Sequence, residues 1–266
     1  MGEYRGGLNY WQRTSDDWQV RLVGAVAVHG ADGIWEAPDV GSRKARTLLA
    51  LLGASHGRMV TVETVVDELW GSAPPQQPRA NVATLVSRLR SRFGSTVIVG
   101  GRRGYRLGET IRVDLHDAAD LVTQAEAALT HNRPAAGLAA AGQGLDLISG
   151  GLVLADYPTA EWAERARAMQ TGLLRRGRHA GAECALRAGA PARAQALAEA
   201  AIAVDALDER AHGMLMRAHA DSGEPARALI AYERLRATLA AELGTGPVAA
   251  TRDLHMAILR ANAISA

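Results

Sequence analysis

Apolar and polar positions follow a two-residue period at the start of this chain and a helical one for most of the rest. In residues 18–29, WQVRLVGAVAVH alternates as a half-buried strand does, and GADG turns the chain toward a second short strand around Ile34 to Glu36. Ser42 then precedes RKARTLLALLGAS, in which Leu48, Leu49, Leu51 and Leu52 fit a buried helix that stops near Gly53 and Gly57. Thr61 is positioned to cap VETVVDELWG, where Val62, Val65, Val66, Leu69 and Trp70 form one apolar face and Gly71 ends the helix. The prolines of SAPPQQP, residues 72–78, predict a loop. In the following RANVATLVSRLRSRF, Val82, Leu85, Val86, Leu89 and Phe93 recur at three and four residues as a core stripe. Thr84, Ser87, Arg88 and Ser91 fall on the opposite side, with Asn81 beside them. STVIVGGRRGYRLG reads as a strand, a turn bearing Arg102 and Arg103, and a returning strand.

From Asp114 onward strand signals vanish. Helices are predicted at roughly 115–130, 134–147, 159–187, 191–204, 208–221, 225–242 and 248–262, punctuated by Pro134, Pro158, Pro191, Pro225 and Pro247. Within them GAPARA at 189–194 recurs as GEPARA at 223–228, an offset of 34 residues, which is the tetratricopeptide period. An alanine-rich bundle without a true repeat is the competing reading. The predicted organisation is a loose tail at 1–17, an α+β domain of strands, three helices and a hairpin at 18–113, and an all-α, tetratricopeptide-like helical repeat domain at 114–266.

Composition sharpens this picture. Hydrophobic residues make up 48% of the chain and aromatics only 4%, so alanine carries much of the apolar count and close helix packing is its natural use. Cys184 is the single cysteine, which allows no internal disulfide and suits a reducing compartment. No run of about 18 apolar residues occurs and the first residues are polar, so the expected location is cytoplasmic, at the nucleoid. Charge is divided unevenly. Residues 1–113 carry 15 Arg plus Lys against 10 Asp plus Glu, whereas residues 114–266 carry 15 against 18. Seven arginines (79, 88, 90, 92, 102, 103, 106) fall in a segment without one acidic residue, which points to an anionic partner. A bias toward arginine explains why Lys44 is the only lysine; it does not explain the missing acids.

Catalytic chemistry finds no candidate. There is no G-x-x-x-x-G-K-[ST], no H-E-x-x-H and no G-x-S-x-G, and the glycines of GGRRGY lead into a hairpin instead of a helix. His212 and His219 share a helix without a carboxylate at metal-ligand spacing, and Cys184 reads as a small buried hydrophobe. The expectation is a protein that is not an enzyme, with no metal and no cofactor.

Double-stranded DNA fits the first domain. The B-DNA major groove admits one α-helix, and arginine can pair with guanine, asparagine with adenine, and a threonine methyl with thymine. Asn81, Thr84 and Arg88, spaced by three and four residues, are the base-reading candidates. Arg79, Ser87, Arg90 and Arg92 suit phosphate contacts that fix register, and Arg102 and Arg103 suit a hairpin tip that reaches backbone or minor groove.

These segments resemble a known family. GSRKARTLLALL, VTVETVVDELWG, the proline loop, ANVATLVSRLRSRF and GYRLG are similar to the OmpR/PhoB-type winged helix of the Streptomyces antibiotic regulatory protein (SARP) family. VDLHDAADL and ARALIAYERLRATLAAELGTGPVAATRDLHMAILR resemble its companion bacterial transcriptional activation domain, so that the likeness covers about residues 20–262. The resemblance implies an activator that binds direct repeats in promoters, commonly of secondary-metabolite (antibiotic) clusters, with two or more protomers side by side. It also implies recruitment of RNA polymerase through its subunits and sigma factor. The family's recognition helix falls on residues 80–93, with Asn81, Thr84 and Arg88 facing bases and Arg90 facing the backbone. Its polymerase-facing loop falls on Gly71, Ser72, Ala73, Pro74, Pro75, Gln76, Gln77 and Pro78. Where the family usually has an arginine three residues before the glycine of G-Y-R, this chain has Gly101, followed by Arg102 and Arg103. LTHNRPAAGLAAAGQG is less typical, which implies unusual packing of the first helical hairpin. The expectation from the resemblance is a short member of the family, without an ATPase or sensor domain. The alternative from another class is a helical-repeat interaction scaffold, or a ligand-gated regulator, with weakened DNA reading.

Overall fold

The computed structural model describes residues 18–30, 33–55 and 57–264. The tail expected at 1–17 lies outside the described residues. The chain divides into two compact units, one running through Asp117 and taking in Ile148–Gln170, the other made of Ala118–Leu147 and Thr171–Ala266.

The first unit begins with β1 (Gln19–Arg21), β2 (Ala27–Gly30) and β3 (Gly33–Trp35), continues through α1 (Arg43–Ala54), β4 (Val60–Thr61), α2 (Val62–Trp70) and α3 (Pro78–Phe93), and closes with β5 (Ile98–Gly101), β6 (Gly104–Leu107) and β7 (Arg112–Val113). Strands, three helices and a hairpin thus follow in the expected order. Residues 18–29 are not one strand, however. The alternation runs through a reversal at Gly24 (φ +80°), and β1 and β2 pair antiparallel with Val20 opposite Val28. Two short strands escaped prediction. β7 pairs parallel with β1 in a sheet ordered β3-β2-β1-β7, and β4 joins the hairpin in a sheet ordered β4-β6-β5. Strands of two residues are too short to show a period.

Caps explain the helix boundaries. The Ser42 hydroxyl accepts from the Ala45 amide at 3.3 Å and the Thr61 hydroxyl from the Thr64 amide at 3.1 Å, each meeting an amide donor that the first turn leaves unpaired. Pro78, expected in the loop, instead opens α3, because the first helical position needs no N–H and accepts the fixed proline φ. The only phenylalanine, Phe93, is fully buried, with its ring centroid 5.4 Å from that of Trp18 and 5.9 Å from that of Trp35, both edge-on. This aromatic group joins the end of α3 to the first sheet.

Non-local contacts close the unit. The buried Asp114 carboxylate accepts from the amides of Leu22 (3.0 Å), Val23 (2.9 Å) and Leu115 (2.8 Å), and Asp156 accepts from the Val26 amide at 3.1 Å. Val23 bridges Val153, and the Leu154 amide donates to the Leu22 carbonyl at 2.6 Å. Residues 148–170, counted with the second domain in the sequence, therefore belong to the same compact unit as the strands and the first three helices.

All-helical chain supplies the second unit, through α4 (Asp114–Thr130), α5 (Pro134–Ile148), α6 (Glu161–Arg187), α7 (Pro191–Ile202), α8 (Glu209–Asp221), α9 (Pro225–Leu243) and α10 (Ala249–Ile264), of which α4, α5 and α6 share residues with the first. The 34-residue repeat is visible in the backbone. Gly189 and Gly223 take φ +70° and +73°, left-handed values that favour glycine; Ala190 and Glu224 follow at φ −115° and −112°; Pro191 and Pro225 then start α7 and α9. The hydrogen bonds match as well: Ala190 N–H to Ala185 C=O and Glu224 N–H to His219 C=O are both 2.8 Å. A third copy sits at HNRP, where Asn132 takes φ +52°, Arg133 donates to the Ala128 carbonyl at 2.8 Å, and Pro134 starts α5. The turn before α5 thus has the same geometry with asparagine in the glycine position.

From Asn132 to Gly189 is 57 residues, which exceeds one repeat by 23, the length of Ile148–Gln170. The repeat array thus carries an insertion that is counted with the other unit. Small residues pack its helices: Ala182, Ala185, Ala194, Ala198, Ala211, Ala218 and Ala228 lie in one buried cluster with Met214, Met216 and Tyr232. The Glu209 carboxylate accepts from the Val248 amide (2.9 Å) and the Thr251 hydroxyl (2.8 Å), fixing the start of α10 after the ELG-x-x-P turn. No helix among the described residues is long and apolar enough to cross a membrane.

Candidate nucleic-acid interface

α3 has two unlike sides. Val82, Leu85, Val86, Leu89 and Phe93 are buried, while Asn81, Thr84, Ser87, Arg88, Ser91 and Arg92 are exposed. The first group holds the helix against the unit's core; the second is presented to solvent as one polar strip. The Thr84 hydroxyl donates to the Ala80 carbonyl at 3.0 Å, which leaves its methyl as the group able to read a base. Arg88 makes no ion pair among the described residues, so its guanidinium is available for an external acceptor.

The flanking arginines have different surroundings. Arg79 is exposed and pairs with Glu63 of α2. The Arg92 guanidinium lies 5.8 Å from the centre of the Phe93 ring. Arg90 donates from Nε to the Ile98 carbonyl at 2.8 Å and from a terminal nitrogen to the Gly100 carbonyl at 3.2 Å. It therefore braces β5 against α3, a structural job that sequence spacing alone does not reveal. Arg102 and Arg103 are exposed at the tip of the hairpin, where Gly101 faces Gly104 across a two-residue turn. A Cβ on Gly104 would lie 2.4 Å from the Val60 carbonyl oxygen, so only glycine lets β4 approach the wing. A Cβ on Gly101 would meet nothing within 4 Å.

Ser42, at the start of α1, was not among the sequence candidates. It lines a groove of about 460 Å³ together with Ser87, Arg88, Ser91 and Arg92 of α3. The available signal was the basic run Arg43, Lys44, Arg46 directly after the cap, with no acidic residue in the first turn. The loop at 71–77 is tied down at one end: Gly71 donates to the Asp67 carbonyl at 2.7 Å and Ala73 to that of Trp70 at 3.1 Å.

Three titratable side chains of the helical unit, Cys184, His212 and His219, are buried. Cys184 is fully buried, which pushes its thiol up from the ordinary value. His212 is buried and its pKa is lowered by desolvation, while His219 contacts Glu224 at 3.1 Å. Among the described residues no group of three or more His, Cys, Asp or Glu side chains is placed to hold a metal ion.

Comparison with known proteins supplies the family. The bacterial transcriptional activator domain matches residues 113–259. The chain is 28% identical to the regulatory protein DnrI of Streptomyces peucetius over 92% of this chain and 93% of DnrI. It is 34% identical to the regulatory protein AfsR of Streptomyces coelicolor over 84% of this chain but 22% of AfsR, and so spans less than a quarter of the AfsR relatives it matches. The solved structure of Mycobacterium tuberculosis EmbR in complex with a low affinity phosphopeptide superposes with a TM-score of 0.77 at 26% identity, covering 92% of this chain and 65% of that one. With a domain match over more than half of its length and regulators of this type among its relatives, the chain belongs to the bacterial transcriptional activator domain proteins of the SARP family.

Proposed function

We propose that this protein is a sequence-specific activator that inserts α3 into the major groove of direct repeats in promoters, with two or more protomers side by side, and recruits RNA polymerase and its sigma factor through residues 71–78. The relatives DnrI and AfsR support antibiotic or other secondary-metabolite clusters as its targets. One observation carries the reading: α3 buries its whole apolar stripe while Asn81, Thr84 and Arg88 stay exposed on one strip beside a surface free of acidic residues from 80 to 105. A scaffold that had given up DNA would have no physical need for that combination.

Phosphate contacts from Arg79, Ser87, Arg92, Arg102 and Arg103 position the helix, and Arg90 contributes by holding the wing. The test uses a promoter fragment recovered with the wild-type protein. Arg88→Ala should weaken specific binding by about 1 to 3 kcal/mol and relax preference at one base pair, whereas Arg102→Ala should weaken binding to all sequences alike and flatten its salt dependence. Equal losses on specific and unrelated DNA for Arg88→Ala would remove the base-reading role.

A further inference from the structure

α10 closes the repeat array, and its two sides differ. Toward the array, Thr251 and Ile258 are buried and His255 stacks on Tyr232 of α9 with ring centroids 3.8 Å apart and planes 3° apart, which together with the Glu209 contact to Thr251 fixes the rotation of the helix. At about 100° per residue, Arg252, Asp253, Met256, Leu259 and Arg260 fall on the opposite side within an arc of about 120°, and all five are exposed. A helix that ends a repeat array needs a polar outer side. Here Met256 is 44% and Leu259 37% exposed. Counted from the first residue of each helix, their counterparts in α8 are Met216 and His219, which lie inside the array at 0% and 8%. Two charges accompany the apolar pair. Asp253 and Arg260 are two turns apart, roughly 10 Å along the helix and too far to pair with each other. Neither has a hydrogen bond or ion pair among the described residues, whereas Arg252 is held by the Pro247 carbonyl at 2.6 Å.

We propose that α10 is a self-association surface whose partner is the α10 of a second copy of this chain, laid antiparallel about a two-fold axis. Charge identifies the occupant. When two helices pack antiparallel so that Met256 faces Leu259 of the second copy, the positions flanking that layer bring Asp253 opposite Arg260 of the second copy. The two-fold axis repeats both contacts, so two apolar layers and two ion pairs form in a single register. A parallel pairing leaves the two charges at different levels and joins neither. One helix pair covers less area than a standard interface, so monomer and dimer should exchange at micromolar concentration. The pairing needs no DNA and stands apart from the base-reading claim.

The test measures the mass of the full chain, without DNA, by sedimentation over concentrations reaching about 100 μM. Wild type should pass from monomer to dimer. Met256→Glu should weaken association at least about tenfold, and so should Asp253→Arg and Arg260→Asp, each of which sets like charges against one another. The chain carrying both swaps restores the pairs in reversed order and should return to within about threefold of wild type. All three positions are exposed, so helical circular dichroism should stay unchanged and separates lost pairing from lost fold. A wild-type chain that stays monomeric over the whole range overturns the proposal and points to a different protein on that face. Association that Met256→Glu leaves intact lies elsewhere on the molecule and overturns it as well. A double swap no better than the single ones overturns the antiparallel register. Arg88→Ala should associate as wild type does, so a failure of DNA reading and a failure of this pairing are read separately.

Discussion

The two compact units are held together by opposite means. The helical unit is built from neighbours: one turn recurs at Asn132, Gly189 and Gly223, and each hairpin packs on the next through alanine. The first unit is closed by contacts distant in sequence, with Asp114 binding the amides of Leu22 and Val23, and Leu154 pairing with Leu22. A local architecture spreads its stability over similar pieces, whereas a closure that depends on one buried carboxylate concentrates it. Nature provides a clean way to read them apart. The described tryptophans, Trp18, Trp35, Trp70 and Trp162, all belong to the first unit, so their fluorescence reports that unit and helical circular dichroism reports mainly the other.

The largest expected effect is at the concentrated point. Asp114→Ala leaves three backbone donors without their acceptor and should cost the first unit about 3 kcal/mol or more, seen as an early fluorescence transition in urea with the helical signal retained. A single late transition by both probes would show that the carboxylate is dispensable. The same group sets a pH dependence. Burial raises the Asp114 pKa from 3.8 to about 6 against the lowering effect of its backbone hydrogen bonds. A raised folded-state value means that the folded form holds the proton more tightly, so the first unit should lose stability as pH rises from about 4 to about 6, and Asp114→Ala should abolish that slope.

A smaller effect tests the repeat. Gly189→Ala and Gly223→Ala each force a side chain into the left-handed region, costing about 1 to 2 kcal/mol in the helical signal and sparing the fluorescence transition. Because the two turns are equivalent, the two costs should agree; a large inequality would break the comparison. The smallest effect lies at the wing. Gly101→Arg has open space for its side chain and should steepen the salt dependence of DNA binding by about one counterion.

Legibility in the sequence followed the same division. The repeat was readable because period, glycine and proline are local signals, and the helices from Pro191 onward fall within two residues of expectation. α3 was readable for the same reason, and its five predicted core residues are its five buried ones. What escaped notice was non-local. Nothing near Leu22 announces that its amide will meet Asp114, and the alternation of residues 18–29 hid a turn at Gly24. At the candidate site, helical spacing identified which residues are exposed but not what they touch. Arg90 donates to the carbonyls of Ile98 and Gly100, Arg79 makes an exposed pair with Glu63, and Lys44 donates to the Leu69 carbonyl, partners that only the folded chain brings near.

Base reading by α3 is the central claim, and selection of genomic fragments with purified protein tests it most directly. Wild type should recover promoter fragments carrying a spaced direct repeat, with affinity falling steeply as salt rises, and Arg88→Ala should lose that enrichment while still binding DNA weakly. Recovery of fragments without a shared sequence, at the same level for wild type and Arg88→Ala, would contradict the account.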